Sequence, residues 1–263
     1  MNENLNRKPS GLTANGLRTW GMLFIALGIA GRAILQNTIL GIGNISSAEL
    51  LQLMQDTPDM MGAVTLSIVL EAVYACAAPI FAFLLVEGFC HCGNFLHYLL
   101  RVLGLAVVSE IPYNLAAGGS LWVTDSRNPV FGLVICLIIL YFYRRYAEKS
   151  AGNLAIKALV TVAALIWTSM LRIDDGDCLV VLVAVIWAFR NKNTFRTIAG
   201  CTAAFVCTLF SPYYLAAPMS FLAIHFYNGE KGTDNKVVNY LMYPLLLIAV
   251  ALAAMAVGEM NIL

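Results

Sequence analysis

The chain has 263 residues, of which 60% are apolar and only 12% charged, and its net charge is +1. A water-soluble domain of this length needs far more charge to cover its surface, so the composition excludes one and specifies a polytopic membrane protein. Nothing in the balance supplies a nucleic-acid footprint, and the seven cysteines, odd in number and scattered through apolar runs, read as buried free thiols rather than a disulfide framework.

Met1 to Asn15 is polar and lacks the short apolar core of a cleavable signal, so residues 1–16 are expected to be a polar tail. A helix needs roughly 20 apolar residues to cross the hydrocarbon layer, fewer where its ends snorkel or are buried in protein. On that basis spans are expected near 18–36, 63–87, 97–116, 129–146, 155–171, 178–190, 197–210, 213–227 and 238–258. The fold class is therefore all-α, a bundle of about nine transmembrane helices in one domain over residues 1–263. The sixth and seventh spans are short enough to suit a re-entrant or interfacial arrangement. Residues 37–62 are expected to form an external loop, in which Ser46 or Ser47 caps an amphipathic helix carrying Leu50, Leu51 and Met54 along one side. There is no internal repeat, which argues against a transporter built from matched halves.

Charge placement tests this threading. With the N-terminus inside, Arg7, Lys8, Arg18 and Arg101 fall on the cytoplasmic side, as do Arg144-Arg145-Lys149-Lys157, Arg190-Lys192-Arg196 and Lys231-Lys236. The opposite side receives Arg32, Arg127 and Arg172, together with Glu49, Asp56, Asp59 and Asp174-Asp175-Gly176-Asp177. That alternation is what the positive-inside rule requires.

Charges inside hydrocarbon-grade sequence are expensive and face a bundle interior or a wet cavity. Arg32 and Glu71 fall at similar depths in an antiparallel hairpin, so an ion pair pinning the first span to the second is expected. Glu87 and Arg101 flank a cytoplasmic turn, either as a clasp or as one wall of a vestibule. Glu110 lies nine positions after Arg101, close to half a turn out of phase, and with Asn114 and Arg127 is expected to line an external opening. Cys90-His91-Cys92 with His97 lacks zinc-like spacing, so no metal is expected.

Pro79-Ile80-Phe81-Ala82-Phe83-Leu84-Leu85-Val86-Glu87-Gly88-Phe89, then Tyr98-Leu99-Leu100-Arg101, then Ser109-Glu110-Ile111-Pro112-Tyr113 resembles the signature of the TraX family. The likeness continues through Asn128-Pro129-Val130-Phe131-Gly132-Leu133, Asp174-Asp175-Gly176, Phe226-Tyr227-Asn228-Gly229 and Tyr243-Pro244. The resemblance implies a multi-pass protein of a bacterial cytoplasmic membrane, N-terminus inside. It implies an acyltransferase that passes an acetyl group from cytoplasmic acetyl-CoA to an acceptor, whether pilin-like peptide, glycan or lipid. The partners it implies are the lipid bilayer and that acceptor, without nucleic acid. The family's first span carries an Asp-His pair where this chain has Gly28-Ile29, and its C-terminal Tyr-Pro-x-His is Tyr243-Pro244-Leu245-Leu246 here. Imidazole is the usual base for acyl transfer. In its absence the catalytic candidates are Glu87, His91, Arg101 and Glu110, with His97 nearby, a glutamate serving as base if burial raises its pKa. Arg18, Arg144, Arg145 and Arg190 are the candidates for the phosphates of acetyl-CoA, since guanidinium groups grip phosphate bidentately. A non-catalytic scaffold or regulator and a small-solute transporter are the alternatives.

Overall fold

A computed structural model describes residues 11–41, 52, 61–233 and 236–260. Apart from Gln52, the amphipathic helix expected over residues 46–54 lies outside the described residues. Every regular element among the described residues is helical: α1 (Ala14–Ala30), α2 (Met61–Ala75), α3 (Ala77–Cys90), α4 (Phe95–Gly118), α5 (Val130–Arg145), α6 (Ala151–Met170), α7 (Gly176–Ala188), α8 (Asn193–Val206), α9 (Ser220–His225) and α10 (Lys236–Met260). α1 runs on into a π-helical stretch, Gly31–Ile39.

Side-chain caps set several starts. Thr13 accepts from the Gly16 amide at 3.1 Å, Asn94 from His97 at 3.2 Å and Ser150 from Asn153 at 3.2 Å, each satisfying a donor that a helix N-terminus leaves over. α4 stops at Gly119, whose φ of 67° is the left-handed cap that glycine takes without steric penalty.

Among the described residues five helices are long and apolar enough to cross a membrane: Ala14–Ile39, Met61–Cys90, Phe95–Gly118, Ala151–Met170 and Val238–Gly258. They correspond to the first, second, third, fifth and ninth expected spans. The other four are shorter, with 16 residues in α5, 13 in α7 and 14 in α8. The eighth is not one helix. It is a run of 3₁₀ turns, Cys207–Leu209, Pro212–Leu215 and Ala217–Met219, ending in the six-residue α9. Pro212 and Pro218, which bring no amide hydrogen, stand in the first two positions of two of these turns, where that donor is not needed.

The short α7 is apolar all round and is packed by α3, α5, α6 and α8, which is why a 13-residue helix suffices at the centre of the bundle. α1 lies against α2 and α3, and α10 runs along α4. The second expected span is interrupted at Cys76, whose carbonyl accepts from Ser220 Oγ at 2.6 Å. This break ends α2 just after Tyr74, leaving that ring in the interior.

Candidate functional site

The polar centre starts from Arg32. In the π-helical stretch each turn holds an extra residue, and Thr38 Oγ1 donates to the Ala33 carbonyl, five residues back, at 2.8 Å. Arg32 Nε and Nη2 donate to the two oxygens of Glu71 at 2.6 and 2.9 Å, so the expected hairpin ion pair is present and bidentate. Arg32 Nη1 reaches Asp174 Oδ2 at 2.5 Å, and the guanidinium lies over the Tyr74 ring, 4.5 Å from its centroid. Tyr113 Oη donates to the same Asp174 oxygen at 2.6 Å, while Gln36 Nε2 donates to Glu71 and to Ser67 Oγ. One cation thus holds two carboxylates from distant parts of the sequence.

The turn carrying Asp174 is fixed by backbone. Arg127 donates to the Arg172 carbonyl at 2.8 Å, and the Asp174 amide returns to the Arg127 carbonyl at 2.9 Å. Arg172 and Asp175 take φ values of 51° and 56°, positions that non-glycine residues hold only where their surroundings impose them. Gly176 follows because a Cβ there would come within 2.8 Å of Thr168. Burial alone would raise the Asp174 carboxyl, but Arg32 and Tyr113 outweigh it and hold it below the usual carboxylate range. Asp175 goes the other way, since burial and the charge of Asp174 push it up to about 7.

Two cavities approach this centre from opposite ends of α1. The first, about 290 Å³, opens between Arg18 and Arg101 beside Tyr98, continues along apolar walls that include Ile25 and Leu105, and ends at Tyr74 and Asp175. The second, about 280 Å³, is lined by Arg32, Glu71, Asp174, Asp177, Ser211 and Tyr213 and also ends at Tyr74 and Asp175. These two residues line both cavities. The buried Tyr214 hydroxyl stands beside Asp175 in the second cavity without a full hydrogen bond of its own. Gly28 lies where the Asp-His pair was expected. A Cβ there would collide with the Tyr74 ring, and Ile29 beside it is fully buried.

The expected site residues disperse. Arg101 and Arg18 line the first cavity together. Glu87 lines neither; it accepts from Tyr227 Oη at 3.3 Å and lies 3.6 Å from the exposed His91 ring, and no ion pair joins it to Arg101 among the described residues. His97 is exposed. Glu110 Oε2 accepts from the Asn128 amide at 3.3 Å, Asn114 donates to the Leu121 carbonyl, and neither residue lines either cavity. Asn128 also donates to Ser109 Oγ at 2.7 Å and accepts from Tyr243 Oη at 3.0 Å, joining three of the motif segments in one buried network. Arg144 stacks on Phe89 at 4.4 Å and Arg190 on Trp187 at 3.9 Å; neither they nor the exposed Arg145 line the first cavity. Asp174, Asp175, Tyr74 and Tyr113 were not among the candidates. Asp174, Asp175 and Tyr113 were visible only in the TraX-like segments and in the charge pattern of the loops, and Tyr74 carried no signal.

An all-helical membrane protein with a buried ionic centre, reached by one apolar and one acidic cavity, is the class that these features define. Residues 56–254 match the TraX protein family, and the chain belongs to it. It is similar to the probable fimbrial assembly protein FimC, serogroup H1, of Dichelobacter nodosus, with 26% identity over 190 residues, 64% of this chain and 75% of that protein. No solved structure matches the chain.

Proposed function

We propose that the chain is a membrane-embedded acyltransferase of a bacterial cytoplasmic membrane, with about nine crossings counting the short helices and its N-terminus inside. It transfers an acetyl group from cytoplasmic acetyl-CoA to an acceptor entering from the opposite side. One observation carries this reading: Tyr74 and Asp175 line both cavities, so a donor in one and an acceptor in the other meet at the same carboxylate. A cavity of about 290 Å³ lies at the small end of ligand sites and suits the acyl-pantetheine arm, while the nucleotide phosphates stay at the mouth on Arg18 and Arg101.

In this scheme Asp175 accepts the proton of the acceptor amine or hydroxyl as that atom attacks the thioester carbonyl. The C–S bond then breaks, and the proton passes to the departing CoA thiolate. Asp175 is the base that Gly28-Ile29 cannot supply, with a pKa pushed up to about 7, near the working pH. Tyr214 is the hydroxyl available to donate to the developing oxyanion. Arg32 positions Asp174 and touches neither reacting atom.

The test is made on purified protein in lipid nanodiscs given acetyl-CoA labelled in the acetyl group. Binding followed by release of CoA and labelling of an acceptor from membrane extract supports the reading. Binding without transfer favours the non-catalytic scaffold, and the absence of binding removes both. Asp175→Asn should retain binding and lose transfer; transfer at the wild-type rate would discard Asp175 as base.

A further inference from the structure

Two thiols face each other across the second cavity's wall. Cys178 is the third residue of α7, and Cys207 opens the 3₁₀ turn that follows α8. Cys178 Sγ lies 3.9 Å from the Cys207 carbonyl oxygen, and Cys207 Sγ lies 3.9 Å from that of Cys178. Both cysteines are free, with exposures of 2% and 0%. Ordinary packing does not call for this reciprocity. Cys76 and Cys201, also free, turn instead to the carbonyls of Ala216 and Pro218. Access separates the pair: Cys178 lines the second cavity and Cys207 does not.

We propose that Cys178 and Cys207 are an oxidisable pair, a modification site in which Cys178 meets a small disulfide entering the second cavity and Cys207 closes the bond. Cys178 thiolate attacks one sulfur of the incoming disulfide, breaking its S–S bond and expelling one thiolate. Cys207 thiolate then attacks Cys178 Sγ and expels the second. Each leaving thiolate takes up the proton that a cysteine gave up, so two protein thiols become one disulfide and the small disulfide becomes two thiols. The orientation proposed above puts this end of α7 on the exported side, where such bonds persist.

The new bond would act on the cavity. The Cys207 carbonyl accepts from the amides of Phe210 and Ser211 at 3.0 and 3.1 Å, and both residues line the second cavity. Tying Cys207 to the start of α7, next to Asp175 and Asp177, fixes that wall in one position. The site stands apart from the acyltransferase reading, because it needs only the cavity and the two thiols.

The experiment uses full-length protein in nanodiscs, with Cys90→Ser and Cys92→Ser to silence the exposed Cys90 and the half-buried Cys92, treated with the small disulfide cystamine and then digested for mass spectrometry. The expected result is a Cys178–Cys207 linked peptide lighter by two hydrogens and two fewer thiols open to maleimide after denaturation. Cys207→Ser should stop halfway, with Cys178 held as a stable cysteamine adduct. Cys178→Ser should leave Cys207 unmodified. Persistence of the cysteamine adduct in the protein that keeps both cysteines would overturn the pair, as would reaction of Cys207 alone or the absence of any linked peptide.

Discussion

The two cavities are nearly equal in size, about 290 and 280 Å³, and opposite in character. The first has cations only at its mouth and apolar walls along its length, so it can hold a long flexible arm without fixing it by hydrogen bonds. The second is lined by carboxylates and one arginine, groups that orient a polar partner and tolerate little misplacement. On the acyltransferase proposal the difference divides the labour: one end would store the donor arm and the other would direct the acceptor, with the exchange at Tyr74 and Asp175, which both cavities share.

The severest way to break this division is at the ionic centre. Arg32→Met strands Glu71, only 4% exposed, together with Asp174, and removing one partner of a buried pair costs about 3–5 kcal/mol. Thermal unfolding in detergent should show it; an unchanged midpoint would mean that the cluster does not hold α1 to α2 and to the 172–176 turn. Next, Asp175→Asn should lower the rate of transfer roughly 10²–10⁴-fold while acetyl-CoA binding persists, as expected for a lost general base. The wild-type protein should carry the same signature in its pH profile. Only the ionised carboxylate accepts a proton, so kcat should be low in acid, rise through about pH 7 and then level. A profile that falls across that range would reverse the role of Asp175. Milder still, Arg18→Ala or Arg101→Ala should raise KM for acetyl-CoA about tenfold, or ~1.4 kcal/mol, with kcat spared. A fall in kcat instead would place either arginine at the chemistry. Glu87→Gln should leave transfer within about twofold of wild type, since Glu87 lines neither cavity; loss of labelling would return the base to Glu87.

Depth and sign were readable from the sequence. An arginine near the end of one span and a glutamate about two turns into the next fall at similar depths in an antiparallel hairpin, and Arg32 and Glu71 do meet. The motif residues were also readable as belonging together, although not for the reason expected. Glu110, Asn128 and Tyr243 share one buried hydrogen-bond network. Asp174 could not be found by local reading, since its arginine lies 142 residues away and no periodicity marks such a contact. The eighth span, expected as one helix, is broken into turns for a different reason. Hydropathy over residues 213–227 is blind to Pro212 and Pro218, which divide apolar sequence into turns that only surrounding protein can satisfy.

The chain's described beginning is fastened to a segment made near its end. Leu12 donates to the Phe226 carbonyl at 2.9 Å and accepts from Asn228, while Ala14 and Asn15 donate to the carbonyls of Glu230 and Lys231. During synthesis these partners reach the membrane long after α1 has been inserted. The first cavity, walled by Arg18 and Arg101 and also by Tyr240 and Tyr243 of α10, therefore cannot take its final form until the ribosome has nearly finished, and a nascent chain stalled before α9 should have its earlier spans in lipid and that cavity incomplete.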